Sequence, residues 1–176
     1  MTAFDGLLVL LALVFVAWQV YQRTVRAAFN VFSLYVATGA AGLLYRPFAF
    51  YTKAIKLGSV SLREGVEFIF LVALFYLGMY LFLLWAFPDT HLPRLGLLDY
   101  LFGGLIGLIA GALVLTLLFQ GLKLAVSTQW VQIERWTFYY DLYTTSGLRS
   151  FAEGVLSLYR PLLFPFFFNG YPPILL

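Results

Sequence analysis

Residues 95–122 read LGLLDYLFGGLIGLIAGALVLTLLFQGL, and this stretch decides the fold. After Asp99, glycines recur at four-residue steps with one extra beside the first: Gly103, Gly107 and Gly111, with Gly104. Positions four apart stay on one slowly drifting face of an α-helix, so these residues form a single stripe. Glycine destabilises a soluble helix by about 1 kcal/mol relative to alanine, but in a bilayer a bare backbone lets another helix approach closely. We predict a membrane-spanning helix whose glycine face packs on protein; the wall of a pore or ligand site is the alternative.

The composition indicates a membrane protein. Hydrophobic residues make up 62% of the 176 residues and charged residues 11%, whereas a soluble domain carries about 25% charged residues. Apolar runs approach or exceed the roughly 20 residues that a spanning helix needs. We therefore predict an all-α integral membrane fold with four transmembrane helices, arranged as two antiparallel hairpins in a bundle over residues 1–122. The predicted spans are about 4–21, 27–45, 68–87 and 100–122.

The second predicted span carries the most polar face of the four. Arg26, Asn30 and Ser33 recur at three- or four-residue steps and continue into small residues. Because polar side chains in lipid are costly unless they face the bundle, we expect this face to point inward, towards the glycine stripe. Asp99 either pairs with Arg26 at that end of the bundle or caps its own helix, and the sequence favours neither.

Two further segments suit the membrane surface. The 46–62 loop alternates basic and aromatic residues, and we expect Lys53 and Lys56 to reach lipid headgroups. Residues 123–176 form an aromatic C-terminal segment in which Trp130 and Trp136 suit the headgroup level. Residues 148–163 show an amphipathic period, which predicts an interfacial helix on the membrane or on the bundle.

Several classes of function are excluded or disfavoured. The chain has no cysteine, which removes disulfides, thiolate metal sites and cysteine nucleophiles. The single histidine, His91, lies in a proline-punctuated loop, and the spans contain neither histidine nor lysine for a nucleophile–base pair. We expect no enzyme activity, no cofactor, no metal and no nucleic-acid partner. The expected partners are the lipid bilayer and a second membrane protein or another copy of the chain.

Charge counting gives the expected orientation. The side holding the 46–66 loop and the C-terminal segment carries more Lys and Arg than the side holding Arg23, Arg26 and Arg94. Because basic residues favour the cytoplasm, both termini are predicted to be cytoplasmic. The start MTAFDG lacks a basic n-region, so the first apolar run is expected to stay in the mature protein.

The chain resembles the colicin V production protein (CvpA) family of bacterial inner-membrane proteins. The matching pieces are FDGLLVLLALV, QRTVRAAF, GLRSFAEGVLSLYRPLLFP and above all LGLLDYLFGGLIGLIAG. The family's first turn reads as an Arg-Gly pair followed by an acid, whereas this chain has Thr24 in place of the glycine and alanines near the acid's position. The resemblance implies a four-helix inner-membrane protein linked to toxin production or export and to envelope homeostasis.

Three functions from different classes remain open at this stage. A scaffold would act through helix–helix contacts and would depend on the glycine stripe. A small transporter or channel would use the Arg26–Asn30–Ser33 face as a polar path. An accessory subunit of a respiratory or photosynthetic complex would pack through its aromatic surface and bind lipid or pigment. We favour the scaffold.

Overall fold

The computed structural model describes residues 3–52, 59–88, 96–130, 132–168 and 170–175. These residues form helices and no strand. The helices are α1 (Ala3–Tyr51), α2 (Val60–Ala86), α3 (Leu97–Ala125), α4 (Ile133–Thr145) and α5 (Arg149–Tyr159), followed by 3₁₀ helices at Arg160–Phe166 and Pro173–Leu175. Phe4–Tyr51, Val60–Ala86 and Leu97–Ala125 are long and apolar enough to cross a membrane. The predicted all-helical membrane character is confirmed at this level.

Helix α1 contains the first two predicted spans and is broken at Arg23, whose φ of 66° and ψ of 179° are not helical. The break separates a first arm, residues 3–22, from a second arm, residues 24–51. In an unbroken helix, residues 19 and 30 would lie about 16 Å apart. Instead, the amide of Asn30 donates to Gln19 at 2.8 Å, so the two arms fold back on each other.

The second arm runs further than the sequence suggested. Residues 46–51, predicted as the start of a loop, continue the helix through Tyr51 with Pro47 inside it. Helix α2 begins at Val60, before its predicted start near residue 68, and α3 extends beyond both ends of the predicted span 100–122. Helix α2 is capped by Ser59, whose side chain accepts from Leu62 N–H.

The core of the bundle lies between both arms of α1 and α3, with α2 and the C-terminal segment against it. One buried cluster joins the second arm, α2, α3 and the tail through residues such as Tyr45, Phe68 and Leu163. A second joins the first arm, α3, α4 and α5 through Leu8, Phe119 and Ala152. The C-terminal segment is therefore part of the packed structure.

Candidate functional site

The glycine seam, Gly103, Gly104, Gly107 and Gly111, is covered by the first arm of α1. A Cβ added at Gly107 would lie 2.7 Å from Gln19 Cβ, and one at Gly111 would lie 2.7 Å from Val16 Cγ2. At Gly103 the nearest atoms belong to the Arg23 backbone, at 2.9 Å. At Gly103 and Gly107 an added side chain would meet backbone or Cβ atoms and separate the two helices, so close approach requires glycine there, whereas at Gly104 the nearest atom is Val20 Cγ2 at 3.1 Å.

The seam's partner differs from the one that the sequence suggested. The polar face of the second arm was expected to lie on the glycine stripe, but the first arm occupies that place. The expectation that this face points inward agrees with the structure, since Asn30 and Ser33 are buried. Asn30 reaches the seam indirectly, through its hydrogen bond to Gln19, whose Cβ lies on Gly107.

A cluster of amide and phenol side chains, which we call the amide cluster, lies next to the seam and comprises Gln19, Gln22, Asn30, Tyr76 and Tyr80. Gln19 and Asn30 are 0% and 2% exposed. Gln22 Nε2 donates to the Tyr80 hydroxyl at 2.9 Å, the Tyr76 and Tyr80 rings stack, and Tyr76 lies beside Gln19. The cluster thus joins both arms of α1 to α2.

Sequence reasoning identified Asn30 in this cluster and missed Gln19 and Gln22. The available signal was an uncharged polar residue inside an apolar run, repeated three residues later on the same side of the helix. The cavity beside the cluster, between Arg26, Asn30 and Tyr80, has a volume of about 10 Å³. That volume holds about one water molecule. A larger cavity of about 170 Å³ beside Tyr76 is lined by apolar side chains such as Phe15 and Phe68, so neither cavity gives the cluster an open polar path.

Asp99 caps a helix other than its own. Its Oδ1 accepts from Thr24 N–H at 3.0 Å, and its backbone carbonyl accepts from the Thr24 hydroxyl at 2.9 Å. Thr24 begins the second arm, where backbone N–H groups lack helical partners, and a carboxylate there also favours the helix dipole. Arg26 donates to the Pro88 carbonyl at 2.6 Å. The structure thus adds a third role for Asp99 to the two that the sequence left open.

Residues of α3 contact Arg23 and stabilise the break in α1. Its guanidinium donates to the Tyr100 hydroxyl at 2.7 Å and lies over that ring. The conformation of Arg23 belongs to a region that glycine almost alone adopts and that costs other residues about 1–3 kcal/mol. Tyr100 and Gly103 contact the strained residue directly, and Asp99 accepts from the next residue, Thr24.

At the opposite end of the bundle a second carboxylate, Asp5, links two segments of the chain by hydrogen bonds; we call these bonds the Asp5 clasp. Asp5, fully buried, accepts from the Ser146 hydroxyl at 2.5 Å and from Gly147 N–H at 3.2 Å. Asp5 lies in the first turn of α1, where an acid favours the helix dipole. In the structure Asp5 also fixes the turn between α4 and α5 to the start of α1.

The residues predicted at the membrane surface divide into two groups. Lys53 and Lys56 lie outside the described residues. Trp130 is buried, with Nε1 donating to the Ala125 carbonyl at 2.8 Å. Trp136 Nε1 donates to the Val126 carbonyl at 3.2 Å. Both indoles thus satisfy carbonyls at the C-terminus of α3, which lack helical partners.

A second close backbone approach was not predicted. A Cβ at Gly65 would lie 2.6 Å from the Gly121 carbonyl oxygen, and one at Gly121 would overlap the Ile69 side chain. These glycines bring α2 against α3 at the end of the bundle opposite the amide cluster. The described residues contain no group of three His, Cys, Asp or Glu side chains that could hold a metal ion.

A comparison with known protein families identifies the family to which this chain belongs. A family model described as Colicin V production protein matches residues 4–153. The chain belongs to the colicin V production protein family. The match includes both arms of α1, the glycine seam, Asp99 and the start of α5. No curated protein and no solved structure matches the chain significantly.

Proposed function

We propose that this membrane protein supports the production and export of a colicin V-type toxin, and envelope homeostasis, as a non-catalytic scaffold. Family membership supplies the link to toxin production. The observation that carries the scaffold role is the glycine seam, where α3 meets the first arm at backbone contact distance. Such a seam holds helices in one fixed arrangement, which is what a scaffold presents to a partner membrane protein or to another copy of itself.

The proposed topology follows from the break at Arg23. Each arm of α1 crosses the bacterial inner membrane separately, which with α2 and α3 gives four spans in two antiparallel hairpins. The second arm, at 28 residues from 24 to 51, and the first, at 20 from 3 to 22, are each long enough for a core of about 30 Å. Both termini then lie on one side of the membrane, and the Lys and Arg count favours the cytoplasm for that side.

The amide cluster supports the scaffold over a transporter. A polar path would need a water-filled channel along these side chains, whereas Asn30 bonds to Gln19, the cavity between Arg26, Asn30 and Tyr80 has room for about one water, and the larger cavity beside Tyr76 is apolar. The polar side chains serve as interhelical contacts in this arrangement. A transporter would need Asn30 and Ser33 for flux.

The test uses a producer strain of colicin V-type toxin that lacks its own family member. We expect wild-type protein to restore toxin release, Gly107→Leu to abolish it and Gly78→Leu to retain it, because Gly78 has open space around it. Solute flux into liposomes that is lost in Asn30→Leu would replace the scaffold by a transporter. Purification with a stoichiometric respiratory or photosynthetic complex would instead favour an accessory subunit. Full toxin release by Gly107→Leu at normal protein level would contradict the proposal.

A further inference from the structure

Helix α5 runs from one end of the bundle to its middle. The turn before it is bonded to Asp5, at the start of α1. Its last turn lines a groove with Ile109 and Leu113, which lie at the midpoint of the 29-residue α3. The 11 residues of α5 cover about 16 Å, close to half of a hydrocarbon core of about 30 Å.

The chain then returns towards the end where it started. The Phe166 ring lies on Gly39 and the Phe167 ring on Gly42, one turn further along the second arm. Ile174 and Leu175 join the buried cluster that contains Tyr45. The segment from α5 to the tail therefore enters and leaves at the same end of the bundle, as a re-entrant hairpin does.

At the turn of this hairpin, a side chain donates a hydrogen bond to a backbone carbonyl that would otherwise lack a donor. In a 3₁₀ helix the Leu162 carbonyl would accept from residue 165, but Pro165 has no N–H. The Tyr35 hydroxyl donates to that carbonyl instead, at 2.9 Å. Irregular backbone at bilayer depth is tolerated only where protein satisfies it, and Tyr35 supplies this contact.

Three stripes of side chains run along α5. One is buried in the bundle: Ala152, Leu156 and Tyr159. A second is apolar and exposed: Phe151 and Leu158, continued by Leu162 in the 3₁₀ helix that follows. The third, which we call the polar stripe, is exposed and hydrophilic: Arg149, Ser150, Glu153 and Ser157.

The polar stripe lies at a depth where the bundle elsewhere faces lipid. Between Asp5 and the middle of the bundle, the exposed side chains of the first arm include Leu7, Leu10 and Val14. Lipid covers such a surface without cost. Charged and hydroxyl groups at the same depth on α5 are costly in lipid and require water or protein.

We propose that the polar stripe of α5 packs against the same stripe of a second copy of this chain, with water between the two helices. The stripe carries both signs, since Arg149 Nε lies 3.0 Å from Glu153 Oε1 and both side chains are about half exposed. A surface with both signs is complementary to itself in a two-fold contact. A partner of a single sign would leave one of the two charges opposed. The apolar stripe of Leu158 faces lipid in this arrangement. This contact does not depend on the proposed role in toxin production.

Adjacent residues of α5 provide the test, because the chain has no cysteine of its own. Ser157→Cys and Leu158→Cys are compared in native membranes by copper–phenanthroline oxidation. We expect roughly tenfold more crosslinked dimer for Ser157→Cys, since only that position faces the second copy. Ser150→Cys, which is exposed on the polar stripe two turns before Ser157, is a second variant and should also crosslink. Leu74→Cys, exposed on α2, is the lipid-facing control.

A membrane-impermeant charged maleimide separates the remaining outcomes. The proposal expects labelling of Ser157→Cys and none of Leu158→Cys or Leu74→Cys. Equal labelling of Ser157→Cys and Leu158→Cys would place α5 on the membrane surface and overturn the re-entrant hairpin. No labelling and no dimer at Ser157 would place the stripe in lipid. Labelling of Ser157→Cys without any crosslinked dimer would overturn the proposed contact with a second copy. None of these readouts uses toxin release.

Discussion

The side-chain amide of Asn30 donates to Gln19 Oε1 at 2.8 Å, across the two arms of α1. Gln19 is in turn fixed on α3, because its Cβ lies where a side chain at Gly107 would be. One hydrogen bond therefore sets the register of three helical segments. Both residues are buried, and a buried polar group that loses its partner costs about 1–3 kcal/mol.

Substitutions of Asn30 and Gln19 should have coupled effects on the free energy of unfolding. Asn30→Leu and Gln19→Leu should each lower the free energy of unfolding, and the double variant should lose less than the sum by about 1 kcal/mol. The measurement is SDS-induced unfolding of the purified protein in mild detergent. Pairing Asn30→Leu with Tyr21→Leu, an exposed position, should give additive losses. Additive losses for Asn30 and Gln19 as well would remove the role of this bond.

The glycine seam predicts a contrast between two glycines of different helices. Gly107→Ala should destabilise the protein by about 1–3 kcal/mol, because the added methyl overlaps Gln19 Cβ and the helices must separate. Gly78→Ala should be neutral or stabilising by up to about 1 kcal/mol, because Ala is the better helix former. Gly78 has nothing within 4 Å. Equal unfolding free energies for the two variants, measured in the same detergent, would contradict the seam.

The strained break predicts an unusual preference at residue 23. Arg23→Gly and Arg23→Ala both remove the contact with Tyr100, but only glycine relieves the backbone conformation. We expect Arg23→Gly to be more stable than Arg23→Ala by about 1–3 kcal/mol. In an ordinary helix interior the order is reversed. A thermal unfolding series on both variants distinguishes the two cases, and Ala more stable than Gly would mean an unbroken helix.

Because Asp99 caps the second arm, its contact with Thr24 should contribute more to stability than any contact with Arg26. Asp99→Ala should cost about 0.5–2 kcal/mol, because Thr24 N–H loses its acceptor. Asp99→Asn should cost less, since an amide oxygen still accepts. Arg26→Gln should add to either change without coupling, because Arg26 donates to the Pro88 carbonyl. A large coupling energy between Asp99 and Arg26 in a double-mutant cycle would restore the ion pair as the main contact.

The Asp5 clasp predicts local opening of the C-terminal segment. Asp5→Ala removes the acceptor for Ser146 and Gly147, so the Gly147 amide should exchange its hydrogen at least about tenfold faster. Hydrogen exchange by mass spectrometry on peptides covering 144–150 measures this. Asp141→Ala, an exposed acid in α4, is the control and should leave exchange unchanged. Unchanged exchange in Asp5→Ala would mean that packing alone holds the turn.

Periodicity in the sequence identified the helices that matter most. Glycines four apart in a long apolar run required a covered helix face, and the seam at Gly107 and Gly111 is covered. The inward direction of Asn30 and Ser33 also followed from the cost of polar groups in lipid. These predictions depend on one helix at a time, which is why local spacing was sufficient for them.

The residues at which the helices end were harder to predict from the sequence. Pro47 and the mixed composition after it indicated a loop, yet the second arm continues to Tyr51, because packing of Tyr45 and Phe48 against α2 outweighs the local preference. The packing of the Phe166 and Phe167 rings on Gly39 and Gly42 was also not predicted from the sequence. No local pattern links positions more than 120 residues apart.

The sequence by itself determined the class of fold, the helix that carries the seam and the family, since all three depend on composition and short-range spacing. Only the tertiary structure decided that the first arm covers the seam, that Gln19 is the partner of Asn30, and that Asp99 caps the second arm. A helical period specifies which face must be covered. Which of several apolar helices covers it depends on shape complementarity and on backbone groups that become available only when the chain breaks at Arg23.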